Sequence, residues 1–572
     1  MGFRECSVAD AEALTRWLVD NITQAQRGVD AVRDHVLARC REEKIEPPTG
    51  GRVDRIVRSA LSLGEELMFE RVSSRLTGEA ADRMFAFITR HCANRWTGRS
   101  SSRRCVEMRA ELDALHLALP ERDWLEIKER KSGAIKLTPV PKQPEPTNLR
   151  KMKRAIRTRW GQVPLIDIVK ETVLRTGCLR SVTSVADRGV MPEDVLAERL
   201  LLGLYAYGTN TEIRSVAGGD HGHSEEDIRY VRRRYLTPES AHRIAIEIAN
   251  ATFRVRRASV WGEGLYRAVA SDSAHFRSWD QNIFTEWHSR YGGRGVLIYW
   301  SVEKGSVVIH SQRINCSASE VHAMVEGAVR HGTEMKVEAN YVDTHGQSEI
   351  GFGITKLLGF DLLPRIKRIN KCKLYRPAAG ESGLWPGLGP AMTRPIRWEL
   401  IAQQYDQMVK YATAIRTGTA STEAILRRFV KANAAHPTYQ AMIELGRAQK
   451  TIFLCRYLRS RELQREIEEG LNVIESWNRA NSVIYYGKTG ELSSNRVDEQ
   501  ELSVQCLRIV QASLVYINTL MIQGLIDDPD TGDVLVTAAD KRGVTPLFWE
   551  HVLPYGEVKL NMSSRLTLGE GV

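Results

Sequence analysis

Apolar residues recur at helical spacing in the first part of the chain, shift to a two-residue period in the middle, and return to helical spacing near the end. Leu14, Leu18 and Ile22 follow Ser7-Val8-Ala9-Asp10, which fits a capping box. Pro47-Pro48-Thr49-Gly50-Gly51 breaks the pattern, and Ile56, Ala60 and Leu63 resume it. The stretch from Thr138 to Thr147 holds four prolines among polar residues, the composition of a linker. From Asn148 to about Val260 the chain is helical again. Val296-Leu297-Ile298-Tyr299-Trp300-Ser301-Val302 and Ser306-Val307-Val308-Ile309-His310, joined through Glu303-Lys304-Gly305, read as a β-hairpin.

Asp272, in Ala270-Ser271-Asp272-Ser273, precedes that hairpin. Ser317-Ala318-Ser319-Glu320 opens a helix bearing Val321, Met324, Val325 and Ala328. Lys336 to Asp343 reads as a strand ending on the aspartate. Ile350, Ile354, Leu357 and Leu358 mark a helix that leads to Phe360-Asp361-Leu362-Leu363-Pro364. The order β(Asp272)-β-β-α-β(Asp343)-α predicts an α/β ribonuclease H-like core with a mixed sheet and helices on both faces. Further on, Leu463, Ile467, Leu471 and Ile474 define a helix with one buried face, and Glu475 sits at its edge.

The expected organisation is therefore a helical N-terminal region (1–137), a linker (138–147) and a basic helical region (148–260) for DNA binding and assembly. The core with the two aspartates (261–376) follows, then a helical insertion (377–460), the core helix with Glu475 (461–495) and a helical C-terminal region (496–572). At 572 residues the chain is too long for a single hydrophobic core, which fits several domains.

Charge sharpens the picture. The chain carries 81 Lys+Arg against 70 Asp+Glu, a net charge of +11, which suits a polyanionic partner such as nucleic acid. Arg150, Lys151, Lys153, Arg154, Arg157 and Arg159 crowd one segment without an acidic residue, and Trp160 beside them could be core or could stack. A second run holds Arg232, Arg233 and Arg234, on a helix opened by Ser224-Glu225-Glu226-Asp227. Side chains at this density neutralise phosphates and make binding steeply salt-dependent, although most charge runs are solvated helix faces.

Nine cysteines are scattered without a C-x-x-C pair, which argues against a disulfide framework and a structural zinc site. No signal peptide or uninterrupted apolar span is evident. No membrane association is expected, and the expected compartment is a bacterial cytoplasm, at the nucleoid.

Asp272, Asp343 and Glu475 are the candidate catalytic and metal-binding residues. Magnesium or manganese takes oxygen ligands, and two such ions can activate one oxygen and stabilise another in phosphoryl transfer. Singly, each residue has a plainer reading as a turn former or a solvated glutamate. Asp280, Glu338, Glu349 and Asp361 compete for the same roles. His221 and His223 lie in a glycine-rich turn without a third ligand in view, so a loop is expected there. No P-loop or dinucleotide fingerprint appears, and no nucleotide cofactor is expected.

These residues lie within longer segments that resemble the Tn-three family of bacterial replicative transposases. The similar segments include Ser278-Trp279-Asp280-Gln281-Asn282, Tyr291-Gly292-Gly293-Arg294-Gly295 and Asp343-Thr344-His345-Gly346-Gln347-Ser348-Glu349. Leu357-Leu358-Gly359-Phe360, Pro364-Arg365, Glu475 with Asn478, and Gly543-Val544-Thr545-Pro546-Leu547-Phe548-Trp549 add to them. So do Pro554-Tyr555-Gly556 and, upstream, Pro47-Pro48-Thr49, Gly51-Arg52-Val53 and Gln143-Pro144-Glu145-Pro146.

The resemblance implies a DDE triad of Asp272, Asp343 and Glu475 holding Mg2+ or Mn2+ (two ions). It also implies nicking at terminal inverted repeats, transfer of 3′ ends to target DNA and cointegrate formation. Arg365, Lys367 and Arg368 join the two basic runs as expected DNA contacts, and pairing of two ends implies a homodimer on DNA. Family members are usually much longer, so part of the N-terminal half is expected to be missing. Ser271-Asp272-Ser273 also departs from relatives with glycine after the aspartate. Two other readings remain: a truncated remnant that binds DNA without transposing autonomously, and a stand-alone structure-specific nuclease.

Overall fold

The computed structural model describes residues 99–568 except 142–146, 184–190, 262–266, 344–345, 382, 430–432, 529–539 and 541–542. The elements expected between Ser7 and Leu63, residues 142–146 of the linker, and Thr344 and His345 lie outside the described residues. The chain forms two units. The first comprises 1–139, 346–362 and 366–464; the second comprises 140–345, 363–365 and 465–572.

In the second unit, helices α1 (Thr147–Trp160), α2 (Leu165–Thr176), α3 (Glu193–Thr209), α4 (Glu225–Tyr235) and α5 (Pro238–Val255) precede the sheet. α4 begins where the capping sequence places it, with Ser224 and Asp227 exchanging reciprocal bonds. The strands are β1 (Ala268–Arg277), β2 (Glu286–His288), β3 (Gly293–Glu303), β4 (Val308–Ile314), β5 (Ala339–Val342) and β6 (Asp361–Pro364), of which Leu363 and Pro364 belong to this unit. Their order is β2-β3-β1-β5-β6, with β4 also paired to β3. β1 runs antiparallel to β3 and parallel to β5, so the sheet is mixed. Helix α6 (Glu320–Val329) packs on β1, β3 and β4.

The expected hairpin is present. Val296 to Trp300 are nearly inaccessible at every position, so β3 is covered on both faces and reads as an apolar run rather than an alternation. β4 starts at Val308 because Ser306 adopts φ 77 in the turn. Two expectations about strand ends need correction. Asp272 precedes the hairpin as expected, but it lies in the middle of β1 and not at a strand end. Its polar neighbours carry no alternation signal; pairing with β3 on one side and β5 on the other holds them extended. The strand expected from Lys336 is paired only from Ala339 to Val342, because Lys336 and Glu338 are solvent-facing and pair with each other.

Helix α7 (Arg461–Ile484) belongs to this unit from Arg465 onward. α8 (Val497–Ile526) packs against α2, α3, α5 and β4 and is buried along most of its length. It is the one helix among the described residues long and apolar enough to cross a membrane, and 89% of its most apolar window is buried inside the protein. Its buried polar groups have defined work. Asn518 donates to the carbonyls of Pro546 (2.7 Å) and Phe548 (2.8 Å), and Gln523 accepts from the Trp261 indole (3.0 Å). Beyond α8, Asp540 and Gly543 are helical, and residues 544–568 form turns and a two-residue strand, Val552–Leu553, parallel to Val163–Pro164.

The first unit is mostly helical, with helices Arg99–Ala118, Glu349–Leu358, Trp398–Thr417 and Pro437–Arg459. Gly446 abuts the Glu349 backbone and Gly353 abuts Met442, so two helices cross where neither carries a side chain. Buried Glu444 is met by Arg394, Arg397 and Arg447. Two short strand pairs, Leu125–Ile127 with Ile135–Leu137 and Leu374–Arg376 with Met392–Pro395, complete it.

Candidate active site

The sheet register brings the two aspartates together. Ser271 of β1 is paired with Val342 of the parallel strand β5, so Asp272 and Asp343 are the next residues on neighbouring strands. In-register residues of parallel neighbours emerge on the same face, with strands about 4.8 Å apart. Asp343 follows the last residue of β5, and the N–H of Arg365 donates to the Val342 carbonyl at 2.9 Å.

Arg365 also reaches the aspartate. Its Nε and Nη2 donate to Asp343 Oδ1 at 3.1 and 2.9 Å, and Nη1 stands 4.0 Å from Glu475 Oε1. One guanidinium thus spans the second and third carboxylates.

Glu475 is placed by the packing of α7. Ile467, Leu471, Ile474 and Trp477 are buried on one face, whereas Leu463 is only half-buried. A Cβ on Gly470 would stand 2.5 Å from the Tyr341 ring, so only glycine lets α7 lie this close to β5. The Tyr341 hydroxyl donates to Glu466, and the Trp477 indole donates to the Ser306 carbonyl at 2.9 Å. With that face locked, Glu475 projects from the edge of the stripe and its side chain is 58% exposed.

Burial pushes the Asp272 carboxyl up to about 7. The Ser273 N–H opposes this, the Glu320 and Asp343 carboxylates reinforce it, and Arg290 opposes it again. Glu320, the first residue of α6, accepts a bond from the Ser273 hydroxyl at 3.0 Å. Glu320 and Arg290 were absent from the sequence-based candidates. Glu320 reads there only as part of a helix start, and its proximity to Asp272 arises when α6 packs on the sheet.

The competing carboxylates are engaged elsewhere or exposed. Glu338 pairs with Arg267 (3.0 Å), Glu349 lies 3.9 Å from Lys450, Asp361 lies 3.7 Å from Lys356, and Asp280 is exposed. His221 bonds the Val216 carbonyl and His223 bonds Glu198, consistent with a tied loop.

The basic residues are distributed unevenly. Arg150, Lys151, Arg154 and Arg157 are exposed on α1; Lys153 lies 4.0 Å from Glu550, and Arg159 pairs with Asp528 at 2.8 Å. Trp160, half-buried, donates to the Thr567 carbonyl, and Arg159 lies over its ring. Arg232 pairs with Glu499 at 3.0 Å, Arg234 lies over the Tyr230 ring, and Arg233 is exposed. Lys367 and Arg368 are exposed in the first unit.

Residues 167–557 match the Tn3 transposase DDE domain, a stretch that contains Asp272, Asp343 and Glu475. The chain belongs to the Tn3 transposase family. It is 24% identical over 431 residues to the transposase of transposon Tn1546 from Enterococcus faecium, covering 74% of this chain and 42% of that protein. It is 25% identical over 403 residues to the Tn501 transposase of Pseudomonas aeruginosa, covering 69% and 40%. The gamma-delta transposase of Escherichia coli (strain K12) is 22% identical over 445 residues, covering 77% and 44%. The chain thus spans about two fifths of the length of these Tn3-family relatives.

DDE domains of this kind generally use divalent metal. Among the described residues no three His, Cys, Asp or Glu gather at ligand spacing. The donor chemistry nonetheless fits a hard cation: a carboxyl raised chiefly by burial, with the Glu320 and Asp343 carboxylates adding to it, and two more carboxylates held by a single guanidinium.

Proposed function

We propose that this chain is a DDE transposase with a ribonuclease H-like core that nicks 3′ ends at terminal inverted repeats and transfers them to target DNA, leading to cointegrates. The observation that carries this reading is the β1–β5 register, which sets Asp272 beside Asp343 inside the matched domain. Asp272, Asp343 and Glu475 would hold Mg2+ or Mn2+, as two ions. Bound there, such ions would supply activation of the attacking oxygen and stabilisation of the leaving one.

The chain's own residues supply the rest. Asp272 must lose its proton to serve as a ligand, and its raised affinity for that proton means cation and proton compete for the same oxygens. Arg365 keeps Asp343 and Glu475 near one another before a cation enters, and can then turn to a phosphate oxygen. Ser273 and Glu320 brace the strand beside Asp272.

Arg150, Lys151, Lys153, Arg154, Arg157, Arg159, Arg232, Arg233 and Arg234, with Arg365, Lys367 and Arg368, supply phosphate contacts. The exposed members on α1 are the foremost of these. The DNA-bound form is a homodimer on paired ends, acting in the cytoplasm at the bacterial nucleoid. The helices of 148–260 belong to DNA binding and assembly, and 377–460 is a helical insertion between the second and third carboxylates.

The test is cleavage of end-labelled DNA carrying the element's terminal repeat, with magnesium or manganese, beside Asp272→Asn. Metal-dependent 3′-end nicking by the wild type alone is expected, with DNA binding retained in both proteins. Cleavage by purified Asp272→Asn would overturn the triad. Sequence-selective binding without nicking would favour a DNA-binding remnant, and sequence-independent cutting without joining would favour a stand-alone nuclease.

A further inference from the structure

Between β1 and β3 several large apolar side chains face water while two polar ones, Asn282 and Thr285, are buried. Four of the nine exposed large apolar residues among the described residues fall between Trp279 and Trp287. Trp279 is 40% exposed, Ile283 78%, Phe284 44% and Trp287 62%. Two of the polar residues between them, Asn282 and Thr285, are inside, while Asp280 and Gln281 are exposed. Asn282 is fully buried; its amide donates to the Ser494 carbonyl at 2.9 Å and its Oδ1 accepts from the Phe284 N–H at 3.2 Å. Thr285 is buried and donates to the Asn282 carbonyl at 2.8 Å. Arg294 donates to the Thr285 carbonyl at 2.7 Å, and Arg313 donates to that of Phe284.

The anchoring continues at the start of the loop, where Ser278 bridges to Leu492 and the Leu492 N–H donates to the Arg277 carbonyl at 2.8 Å. The loop is therefore tied from beneath by buried hydrogen bonds while its large apolar side chains face water. Burying such side chains is ordinarily favourable by about 25 cal/mol per Å2, so leaving four together in water calls for a partner that covers them.

The loop is continuous with the site. Arg277 is the last residue of β1, five positions after Asp272, a run of about 17 Å along a strand. The far end of the loop returns toward Asp272. Tyr291 stacks on His275 of β1 with ring centres 4.4 Å apart and planes 1° from parallel, and Arg290 lies over the Tyr291 ring at 5.4 Å. Arg290 and Tyr291 both lie within electrostatic reach of Asp272.

Flat rings beside an arginine suit nucleobases and the phosphates that join them. The four side chains expose on the order of 500 Å2 in all, short of the roughly 800 Å2 per partner that a standard protein interface buries. A second copy of this chain is the competing occupant, and its signature would be a change in oligomeric state.

We propose that the loop from Trp279 to Trp287 is a stacking platform for unpaired bases of the DNA strand engaged at Asp272, with Phe284 and Trp287 as its aromatic faces. The platform rests on the DDE reading for its position, but stacking can be measured without cleavage. It would hold a strand end once its bases leave the duplex, and would do so with little regard to sequence because every base has a flat face.

The experiment uses the full chain without metal and a short single-stranded DNA carrying 2-aminopurine, alongside the same sequence as duplex. Quenching of 2-aminopurine on binding is expected for the wild type. Trp287→Ala should weaken single-strand binding roughly five- to a hundredfold, the range for loss of one stacked base. Trp287→Phe should retain most of it, Phe284→Ala should behave like Trp287→Ala, and duplex binding should change less than about twofold. The unfolding midpoint of Trp287→Ala should match the wild type, since Trp287 is 62% exposed.

Equal single-strand affinity and no quenching change in Trp287→Ala would overturn the platform. So would a wild-type dimer, by sedimentation, that Trp287→Ala dissociates. The two readings separate cleanly. Trp287-dependent single-strand binding without metal-dependent nicking would leave the platform standing and remove the cleavage reading. Unchanged nicking and unchanged single-strand binding in Trp287→Ala would do the reverse.

Discussion

At Arg365 a single side chain touches one candidate metal ligand and approaches another, so its charge acts where a cation would act. It donates twice to Asp343 and stands 4.0 Å from Glu475. Replacing it with Gln should raise affinity for Mn2+, measured by the electron paramagnetic resonance of free ion, by roughly three- to tenfold. That corresponds to about 1 kcal/mol of repulsion between charges a few ångströms apart in water. Unchanged or weaker Mn2+ binding in Arg365→Gln would show that the guanidinium supports the ligands rather than competing for them. The candidate carboxylates themselves were legible in the sequence from their order along β and α elements. Glu320 and Arg290 were not, because neither has a local pattern that ties it to Asp272; packing of α6 and the turn after β2 brings them there.

Elements show a second kind of dependence. The periodicity of Ile467, Leu471 and Ile474 predicts the buried face of α7, and Trp477 continues it. How close that face comes to the sheet is decided by Gly470 against the Tyr341 ring. Gly470→Ala should lower stability by about 1–2 kcal/mol, overpacking outweighing the gain of up to about 1 kcal/mol from alanine in a helix. Chemical denaturation measures this, and a raised midpoint would mean the Tyr341 ring yields. α1 offers a different test. Arg154 and Arg157 are exposed on it, so Arg154→Gln with Arg157→Gln should reduce the slope of log affinity for duplex DNA against log salt by about 1.8, near 0.9 per phosphate contact. An unchanged slope would make α1 a solvated face.

Across the second unit, buried histidines set a pH response. Burial pushes His242 down to about 4, with the nearby Arg508 guanidinium adding to the effect, and burial alone pushes His551 down to about 4. Both are neutral in the folded unit at pH values where an unfolded histidine, near 6.5, already takes a proton. The unfolded chain therefore binds more protons below about 6.5. The stability these groups contribute is present above that pH and is lost as pH falls toward about 4. Denaturation midpoints at pH 7.5, 6 and 5 should decline in order, and His551→Gln should flatten the decline. A flat wild-type profile would show that these rings are reached by water.

Some features of this molecule were determined by the sequence alone. The β3–β4 hairpin, the capped start of α4 and the buried stripe of α7 depend on residues near one another in the chain, where periodicity and turn chemistry act directly. Membership of the Tn3 family was equally readable, because its motifs are contiguous. Other features only the tertiary structure decided. Asp272 sits in mid-strand because β3 and β5 pair on either side of a polar segment with no strand pattern of its own. The segment before Asp343 is strand only from Ala339, where β1 is there to pair with it. The apolar side chains of the Trp279–Trp287 loop face water because buried Asn282 and Thr285, with Arg294 and Arg313, hold its backbone. In each case the deciding partner lies far away in the chain, and a local pattern carries no information about a contact that only folding creates.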